Sequence, residues 1–245
     1  MEQPLTPTPR PRHRRHANPF TVRGPMAVPD WSVLFGRSAP LALDIGCGPG
    51  RFTCALAARY PQYNVLGVEI RAHLVADCNQ RLADAKLPHA RALLANANLH
   101  LPALLPPQSV ALIALNFPDP WYKKRHHKRR VMQADWLAAV VPSLIVGANL
   151  HLMTDYAPLA EQMRAILSAH SELRCNHGDA PFAAASTTGL SSEREVKHMQ
   201  RGEPIYRMSF AYAPTPASVT PPAPDNGARV QHKAAERLVD PSQRC

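Results

Sequence analysis

The stretch LALDIGCGPG, residues 41–50, decides the fold of this chain. A short apolar run leads into alternating glycines, which is typical of a buried strand that turns sharply into a helix. A dinucleotide-binding turn would read G-x-G-x-x-G, but the position of its third glycine is occupied by Arg51. The spacing is instead G-x-G-x-G, with Asp44 ahead of it. A carboxylate at that position favours a cationic ligand over a pyrophosphate.

Segments with strand and helix patterns alternate from this stretch to residue 212. Apolar runs predict strands at 41–46, 64–70, 90–96, 109–117, 148–155 and 205–212. Helical spacing of apolar residues predicts helices at 51–60, 71–86, 131–141 and 158–170. The alternation predicts an α/β fold with a mostly parallel sheet and helices on both faces. Ligands bind such sheets beside the carboxyl ends of the strands.

Polar residues stand at successive predicted strand ends. Glu69 ends the second strand, where a carboxylate can accept both hydroxyl groups of a ribose. Asn96 ends the third, where an amide could reach an adenine amino group. With Asp44, Gly46 and Gly48 they predict a pocket for S-adenosylmethionine, whose sulfonium and amino groups are cationic. The pattern therefore predicts a Rossmann-like class I methyltransferase with a seven-stranded sheet; a plain glycine turn with polar strand ends by chance is the alternative.

The fourth predicted strand ends in NFPDPWY, residues 116–122, and the basic run KKRHHKRR, residues 123–130, follows. Pro118 and Pro120 fix the backbone on either side of Asp119, which would hold its carboxylate rigidly beside the methyl group of the expected cofactor. A rigid carboxylate, an aromatic ring and dense positive charge together suit a base held near phosphates. An ordinary turn is the alternative.

The net charge of +10 is concentrated in two segments. Residues 1–29 hold five arginines against one glutamate, residues 123–130 hold six Lys or Arg and no acid, and the rest of the chain is neutral overall. Because each contacted phosphate releases condensed counterions, this distribution predicts a polyanionic partner. A solvated face or a localisation signal is the alternative.

The motifs NFPDPWYKKRHHKRR, LMTDY (152–156) and SEREVKHMQRGEPIY (192–206) resemble the tRNA (guanine-N7-)-methyltransferases, and the resemblance covers about residues 40–212. It implies methyl transfer from S-adenosylmethionine to N7 of a tRNA guanosine, at position 46 in the variable loop. It also implies that Asp44, Glu69, Asn96 and Asp119 line the cofactor pocket and that Asp119 is catalytic. The implied substrate-binding residues are Lys123, Asp155, Ser192, Glu193, Arg194 and Glu195, and the implied RNA-binding residues are Arg125, His126, His127, Lys128, Arg129 and Arg130.

Two positions depart from the family pattern. Asn96 stands where many relatives have aspartate, and Ser192 with Arg194 replaces a threonine followed two residues later by an aromatic.

Guanine N7 carries an in-plane lone pair, so its methylation needs no general base. Asp119 would either stabilise the positive charge that grows on the purine or grip its N1–H and N2 amino edge.

Two other functions stay open from the sequence. One is an exocyclic-amine nucleic-acid methyltransferase, because Asn116-Phe117-Pro118 loosely matches the loop of those enzymes. The other is a non-catalytic RNA-binding protein on a methyltransferase scaffold.

The distribution of proline predicts the domain organisation. A catalytic domain at 38–212 lies between a basic, Pro-rich extension at 1–37 and a Pro-rich tail at 213–245, both predicted to be mobile.

The five cysteines form no C-x-x-C pair, and no signal peptide or membrane-spanning apolar run is recognisable. We therefore expect a cytoplasmic protein without a metal or a membrane partner, as a monomer or a homodimer.

Overall fold

The computed structural model describes residues 18–19 and 22–215, and the expectations for the remainder of both termini lie outside these residues. Seven strands form one sheet: β1 (Leu41–Ile45), β2 (Asn64–Glu69), β3 (Ala90–Leu94), β4 (Val110–Asn116), β5 (Leu144–Thr154), β6 (Leu173–Cys175) and β7 (Tyr206–Tyr212). Their order is β3-β2-β1-β4-β5-β7-β6. The pairs within β1 to β5 are parallel, and β7 runs antiparallel to both β5 and β6.

Helices connect these strands. They are α1 (Trp31–Phe35), α2 (Arg51–Arg59), α3 (Ala72–Asp84), α4 (Leu101–Leu104), α5 (Ala134–Val140), α6 (Ala157–Ala169) and α7 (Glu193–Gln200). Two 3-10 helices, Lys124–Arg129 and Val141–Ser143, flank α5. We call Lys124–Arg129 the basic helix.

The central strand β1 explains why the sequence signal at residues 41–50 is so strong. Every residue of β1 is buried, because both faces of the sheet are covered. Leu41, Leu43 and Ile45 pack into one apolar cluster with residues of β4, β5 and α6. Ala42 faces the opposite side, where it meets a second cluster formed with α2 and α3. A continuous apolar run is therefore what this position in the sheet requires.

The predicted α/β class is confirmed, and the differences are local. The helix predicted at 131–141 covers only Ala134–Val140, because Gln133 is extended at its N-cap. Strand β5 begins at Leu144 rather than 148; Gly147, with φ of 82°, interrupts the apolar pattern inside it. The short edge strand β6 and helix α7 were not among the predicted elements.

The described part of the N-terminal extension includes folded backbone. Asp30 caps α1 by accepting hydrogen bonds from the backbone N–H groups of Ser32 and Val33, and Phe35 is buried in the main apolar cluster. The division of the chain at residues 37 and 38 stays a prediction. Among residues 18–19 and 22–215, no helix is long and apolar enough to cross a membrane.

Candidate functional site

A cavity of about 510 Å³ lies at the carboxyl edge of the sheet, where parallel strands present their last residues. Its size is within the range of small-molecule sites. Many of the predicted site residues line it: Asp44, Gly46, Gly48, Glu69, Asn96, Asp119, Arg129, Ser192, Glu193 and Arg194. The fold thus brings together side chains that are far apart in the sequence.

The glycine turn forms the floor of the cavity. At Gly50, φ is 82° and a Cβ atom would lie 2.3 Å from the Sγ atom of Cys78, so a larger residue fits neither the backbone nor the space. Gly48 donates its backbone N–H to Oε2 of Glu69 over 3.2 Å. The turn after β1 and the carboxylate at the end of β2 are therefore directly connected.

Asp44 is a buried carboxylate at this floor, with only 2% of its surface exposed. Thr53 donates a hydrogen bond to its Oδ2 over 2.7 Å. Burial raises the pKa of Asp44 to about 6; the bond from Thr53 lowers it and the charge of Glu69 adds to the rise. A cation bound beside Asp44 would reverse the effect of burial, since it would favour the charged form.

Glu69 already has partners within the protein. Arg71 donates from Nε to Oε1 over 2.9 Å and from a terminal nitrogen to Oε2 over 3.0 Å. Burial raises the pKa of Glu69, but the hydrogen bonds and charge of Arg71 and the N–H groups of Ile70 and Arg71 outweigh it, so the net shift is downward. Glu69 is therefore ionised at neutral pH. The sequence interpretation missed Arg71, although its position two residues after Glu69 was a readable signal.

The Asn96 side chain makes hydrogen bonds within the protein. Its Nδ2 donates to the carbonyl oxygens of Pro19 at 2.6 Å and Val22 at 3.3 Å, and its Oδ1 accepts from the backbone N–H of Asn98 at 2.9 Å. The side chain thus fixes the N-terminal segment, and Pro19 from that segment lines the cavity. The contact between the Asn96 side chain and an adenine amino group stays a prediction, and Oδ1, which would accept it, already accepts one hydrogen bond.

The Pro-Asp-Pro loop, residues 117–121, forms the opposite wall. Phe117 and Trp121 adopt positive φ values of 49° and 45°, an uncommon conformation for aromatic residues, and they bracket the loop. Asp119 lines the cavity between them. Asn116, just before the loop, has both side-chain polar atoms buried without a hydrogen-bond partner among the described residues.

Helix α7 closes the cavity on the remaining side. Ser192 and Glu195 form its capping box: the Ser192 hydroxyl accepts from the N–H of Glu195, and the Glu195 carboxylate accepts from that of Ser192. Glu195 also accepts a hydrogen bond of 2.7 Å from Nε of Arg207. Ser192 and Glu195 therefore anchor the helix, and Ser192, Glu193 and Arg194 line the cavity.

Arg194 connects α7 to the rest of the site. It donates to Oδ2 of Asp155 over 2.6 Å, and its guanidinium lies 5.1 Å from the centroid of the Phe117 ring. His198, one turn later, stacks on Phe117 and lies 3.4 Å from the same Asp155 oxygen. Asp155 is thus held by α7 at the end of β5.

The basic helix extends from the Pro-Asp-Pro loop. Lys123, Arg125 and Lys128 are exposed, whereas the guanidinium of Arg129 lies 4.9 Å from the Trp121 ring centroid. His126 meets the edge of the same ring. Partial burial and the positive charges nearby lower the pKa of His126. Two of the predicted RNA-binding cations, Arg125 and Lys128, are therefore at the surface, and Arg129 lines the cavity.

Arg130 departs from this pattern. Only 3% of its surface is exposed, and its guanidinium donates to protein acceptors. Burial lowers the pKa of Arg130, an effect that Tyr156 partly offsets. The predicted assignment of Arg130 to RNA binding therefore disagrees with its placement, because a buried guanidinium cannot reach a phosphate.

Cys47 lies in the cavity wall without the features of a nucleophile. A hydrogen bond with Cys78, burial and the nearby carboxylates Asp44 and Glu69 raise the pKa of Cys47 above its ordinary range, so the thiol stays protonated. Within the described part of the chain, no three His, Cys, Asp or Glu side chains are grouped as a metal site would need.

Proteins of known class resemble this chain. Residues 38–208 match a family described as "Putative methyltransferase". A tRNA (guanine-N(7)-)-methyltransferase from Thermosynechococcus vestitus is 37% identical over 202 residues, covering 81% of this chain and 94% of the relative. One of the same name from Synechocystis sp. is 34% identical over 208 residues, covering 83% and 98%. A solved structure described as an antibiotic-related methyltransferase has a TM-score of 0.50 at 18% identity, covering 78% of this chain and 97% of that one, which shows the fold alone.

Proposed function

We propose, from the premise that the chain belongs to the tRNA (guanine-N(7)-)-methyltransferase family, that it transfers a methyl group from S-adenosylmethionine to N7 of a tRNA guanosine. The observation that carries this proposal is one cavity that joins buried carboxylates to the Pro-Asp-Pro loop. The basic helix begins only a few residues beyond that loop. The position of the guanosine, 46 in the variable loop, is part of the proposal.

The chain's residues fit a cationic nucleoside cofactor. Asp44 is a buried carboxylate whose charged form a bound cation would favour, and the floor of Gly46 and Gly48 admits a ligand close to the backbone. A ribose that donates to Glu69 would replace the two guanidinium bonds from Arg71. Bound S-adenosylmethionine supplies an electrophilic methyl group. The protein's task is then to orient the acceptor and exclude water.

Asp119 would act on the acceptor base. Positive charge grows on the purine as N7 gains the methyl group, and a carboxylate about 4 Å away at an effective dielectric of roughly 20 stabilises it by about 4 kcal/mol. The alternative role is to accept hydrogen bonds from N1–H and the N2 amino group. In either role the two flanking prolines keep the carboxylate in place.

The substrate RNA would be gripped beside this point. The exposed cations of the basic helix suit phosphates, and Lys123 is the N-cap residue of that helix. Arg194 lines the cavity and donates a hydrogen bond to Asp155. Because Asp155 is held by Arg194, these two side chains would move together when the base enters. Glu193 is exposed at the cavity rim, where it pairs with Arg51 and Lys197.

Nucleoside analysis tests the proposed function. Unmodified tRNA is incubated with the full chain and labelled cofactor, digested to nucleosides, and the methylated base is identified. We expect 7-methylguanosine, and we expect Asp119→Ala to lower the single-turnover rate by roughly 100- to 1,000-fold. Label on an exocyclic amine would favour an amine methyltransferase. No transfer and no binding of the cofactor by calorimetry would favour a non-catalytic RNA-binding protein.

A further inference from the structure

Arg130 is a buried cation, and each of its three side-chain nitrogens has a partner inside the protein. Its Nε donates to the carbonyl oxygen of Pro120 over 2.8 Å, and one terminal nitrogen donates to Oε1 of Gln162. The other terminal nitrogen lies 3.0 Å from Nε2 of His127. These three partners belong to the Pro-Asp-Pro loop, to α6 and to the basic helix.

The backbone of Arg130 is tied down as well. Nδ2 of Asn98, in the segment after β3, donates to its carbonyl oxygen over 2.9 Å. Arg130 therefore joins four parts of the molecule, namely the Pro-Asp-Pro loop, α6, the basic helix and the segment after β3. All of the side-chain acceptors are neutral, so hydrogen-bond geometry rather than an ion pair determines where its guanidinium lies.

The loop that Arg130 holds is one that needs support. Phe117 and Trp121 both have positive φ values, and such backbone persists only where surrounding contacts fix it. Pro120 has no N–H to donate, so its carbonyl oxygen is the backbone group that can anchor it by a hydrogen bond. Asp119 precedes Pro120 directly. A shift of that carbonyl would displace the Asp119 carboxylate.

We infer that Arg130 is a positioning residue, which fixes the Asp119 loop and the basic helix, and that it is not a contact for RNA phosphates. This inference rests on the proposed function where it concerns turnover. Its structural part, the support of the loop, holds whatever the substrate is. Arginine is required because a planar fork with several donors reaches all three acceptors, whereas lysine offers one point of attachment.

The experiment compares Arg130→Lys with Lys128→Gln. In Arg130→Lys the positive charge remains but the fork is removed, so the single-turnover rate at saturating tRNA should fall by about 10- to 100-fold. Its tRNA affinity and the salt dependence of that affinity should stay within about 2-fold of wild type. In Lys128→Gln the salt slope of tRNA affinity should fall by about 0.7–0.9. A reduced salt slope with an unchanged saturated rate in Arg130→Lys would overturn the inference.

Gln162 supplies a second test on a different helix. Gln162→Leu removes the α6 acceptor and should lower the same rate, whereas Gln162→Glu keeps an acceptor and should retain it. Arg130 and Gln162 act through one hydrogen bond, so the double variant of Arg130→Lys with Gln162→Leu should lose less single-turnover rate than the two fold-reductions multiplied together. A fold-reduction in the double variant equal to that product would contradict the assignment. Arg164→Gln, which removes an exposed arginine of α6, is the matched control with wild-type rates.

Limited trypsin digestion gives a readout that does not depend on catalysis. Cleavage after Lys123, Arg125 and Lys128, identified by mass, reports how firmly the basic helix is held. We expect Arg130→Lys and Gln162→Leu to be cut there at least about 5-fold faster than wild type and Arg164→Gln, with thermal unfolding still cooperative. Unchanged cleavage would overturn the structural part of the inference. If wild type fails to methylate guanine N7 while the cleavage difference appears, the proposed function fails and the support role stands.

Discussion

At the scale of single residues, the burial of the Asp44 carboxylate lowers the stability of the free protein and would favour the binding of a cation. Its carboxylate is buried beside Thr53, and its pKa is raised from 3.8 to about 6. Ionisation of Asp44 at neutral pH therefore costs free energy that unfolding would recover. A bound cation removes that penalty.

Asp44→Asn should stabilise the free protein at neutral pH. A carboxyl group with a raised pKa does not destabilise the folded protein below pH 3.8, where it is protonated in both states. Stability is then lost as pH rises through about 6, because the folded wild type must bury a charged Asp44. The variant should gain up to about 3 kcal/mol at pH 7 and nothing near pH 4. Urea unfolding across this range measures the difference. A gain that does not change with pH would contradict the explanation.

Cofactor affinity should depend on the same ionisation. As pH falls below about 6, Asp44 becomes protonated and no longer attracts a cation, so the Kd for S-adenosylmethionine should rise by up to tenfold per pH unit. Calorimetry at pH 6 in two buffers of different ionisation enthalpy should show proton release on binding. Asp44→Asn should bind more weakly, with an affinity independent of pH between 5 and 6.5. A wild-type affinity that is flat over this interval would remove Asp44 from the cofactor contact.

Single residues were predictable from the sequence where the fold alone determines their position. Asp44, Glu69 and Asp119 meet at one edge because parallel strands end together, and this follows from the alternation of strands and helices. The bonds of Asn96 were not predictable, because Pro19 and Val22 are more than seventy residues away and no local pattern links them.

At the scale of elements, the three-residue period of the basic helix places its side chains in three rows. In a 3-10 helix, side chains three residues apart lie above one another. His126 and Arg129 both meet the Trp121 ring, and His127 meets Arg130. Arg125 and Lys128 form the third row, and both are exposed. A sequence of eight nearly all basic residues does not show this division, because every cation in it could equally be at the surface.

The third row should therefore carry most of the phosphate contacts. Arg125→Gln with Lys128→Gln should lower the log–log salt slope of tRNA affinity by about 0.7–0.9 for each phosphate that the variant no longer binds. Cofactor affinity should be unchanged, since neither residue lines the cavity. Filter binding between 50 and 300 mM salt is the measurement. A slope equal to that of wild type would place the phosphate contacts elsewhere.

Helix α7 illustrates a local signal that can be recognised in the sequence. The sequence S-x-x-E at residues 192–195 is a capping box, and the structure uses it as one. The family resemblance directed attention to substrate binding at the same residues. Edge strand β6, with three residues and one buried side chain, carried no comparable pattern.

At the scale of the whole molecule, the N-terminal segment is part of the cavity. Pro19 is buried in its wall, and His100 secures the segment further: Nδ1 accepts from the N–H of Asn96, so Nε2 carries the hydrogen and donates to the carbonyl oxygen of Gly24 over 3.0 Å. Composition alone indicated only a loose, basic extension. The long-range contacts that dock it are what the sequence could not reveal.

Two truncations should separate the charge of this extension from its docking. A chain that begins at Asn18 lacks the upstream arginines and should bind tRNA more weakly while keeping its cofactor affinity. A chain that begins at Pro25 also lacks Pro19 and the acceptors of Asn96 and His100, so its cofactor Kd should rise by about 10-fold or more. Calorimetry with S-adenosylmethionine distinguishes them. Equal cofactor affinities in the two chains would show that the docked segment does not support the cavity.

The contact of Asn96 with Pro19 and Val22 puts the cofactor cavity and the upstream arginines on one continuous backbone. Any free energy with which tRNA bound to those arginines would favour or disfavour the docked segment must reappear in the affinity for the methyl donor, with the same sign and size. Donor and acceptor are then heterotropic ligands of each other, and a tenfold effect corresponds to about 1.4 kcal/mol of coupling. Because the Asn96 amide donates, where a carboxylate could only accept, it is the contact through which such coupling would pass.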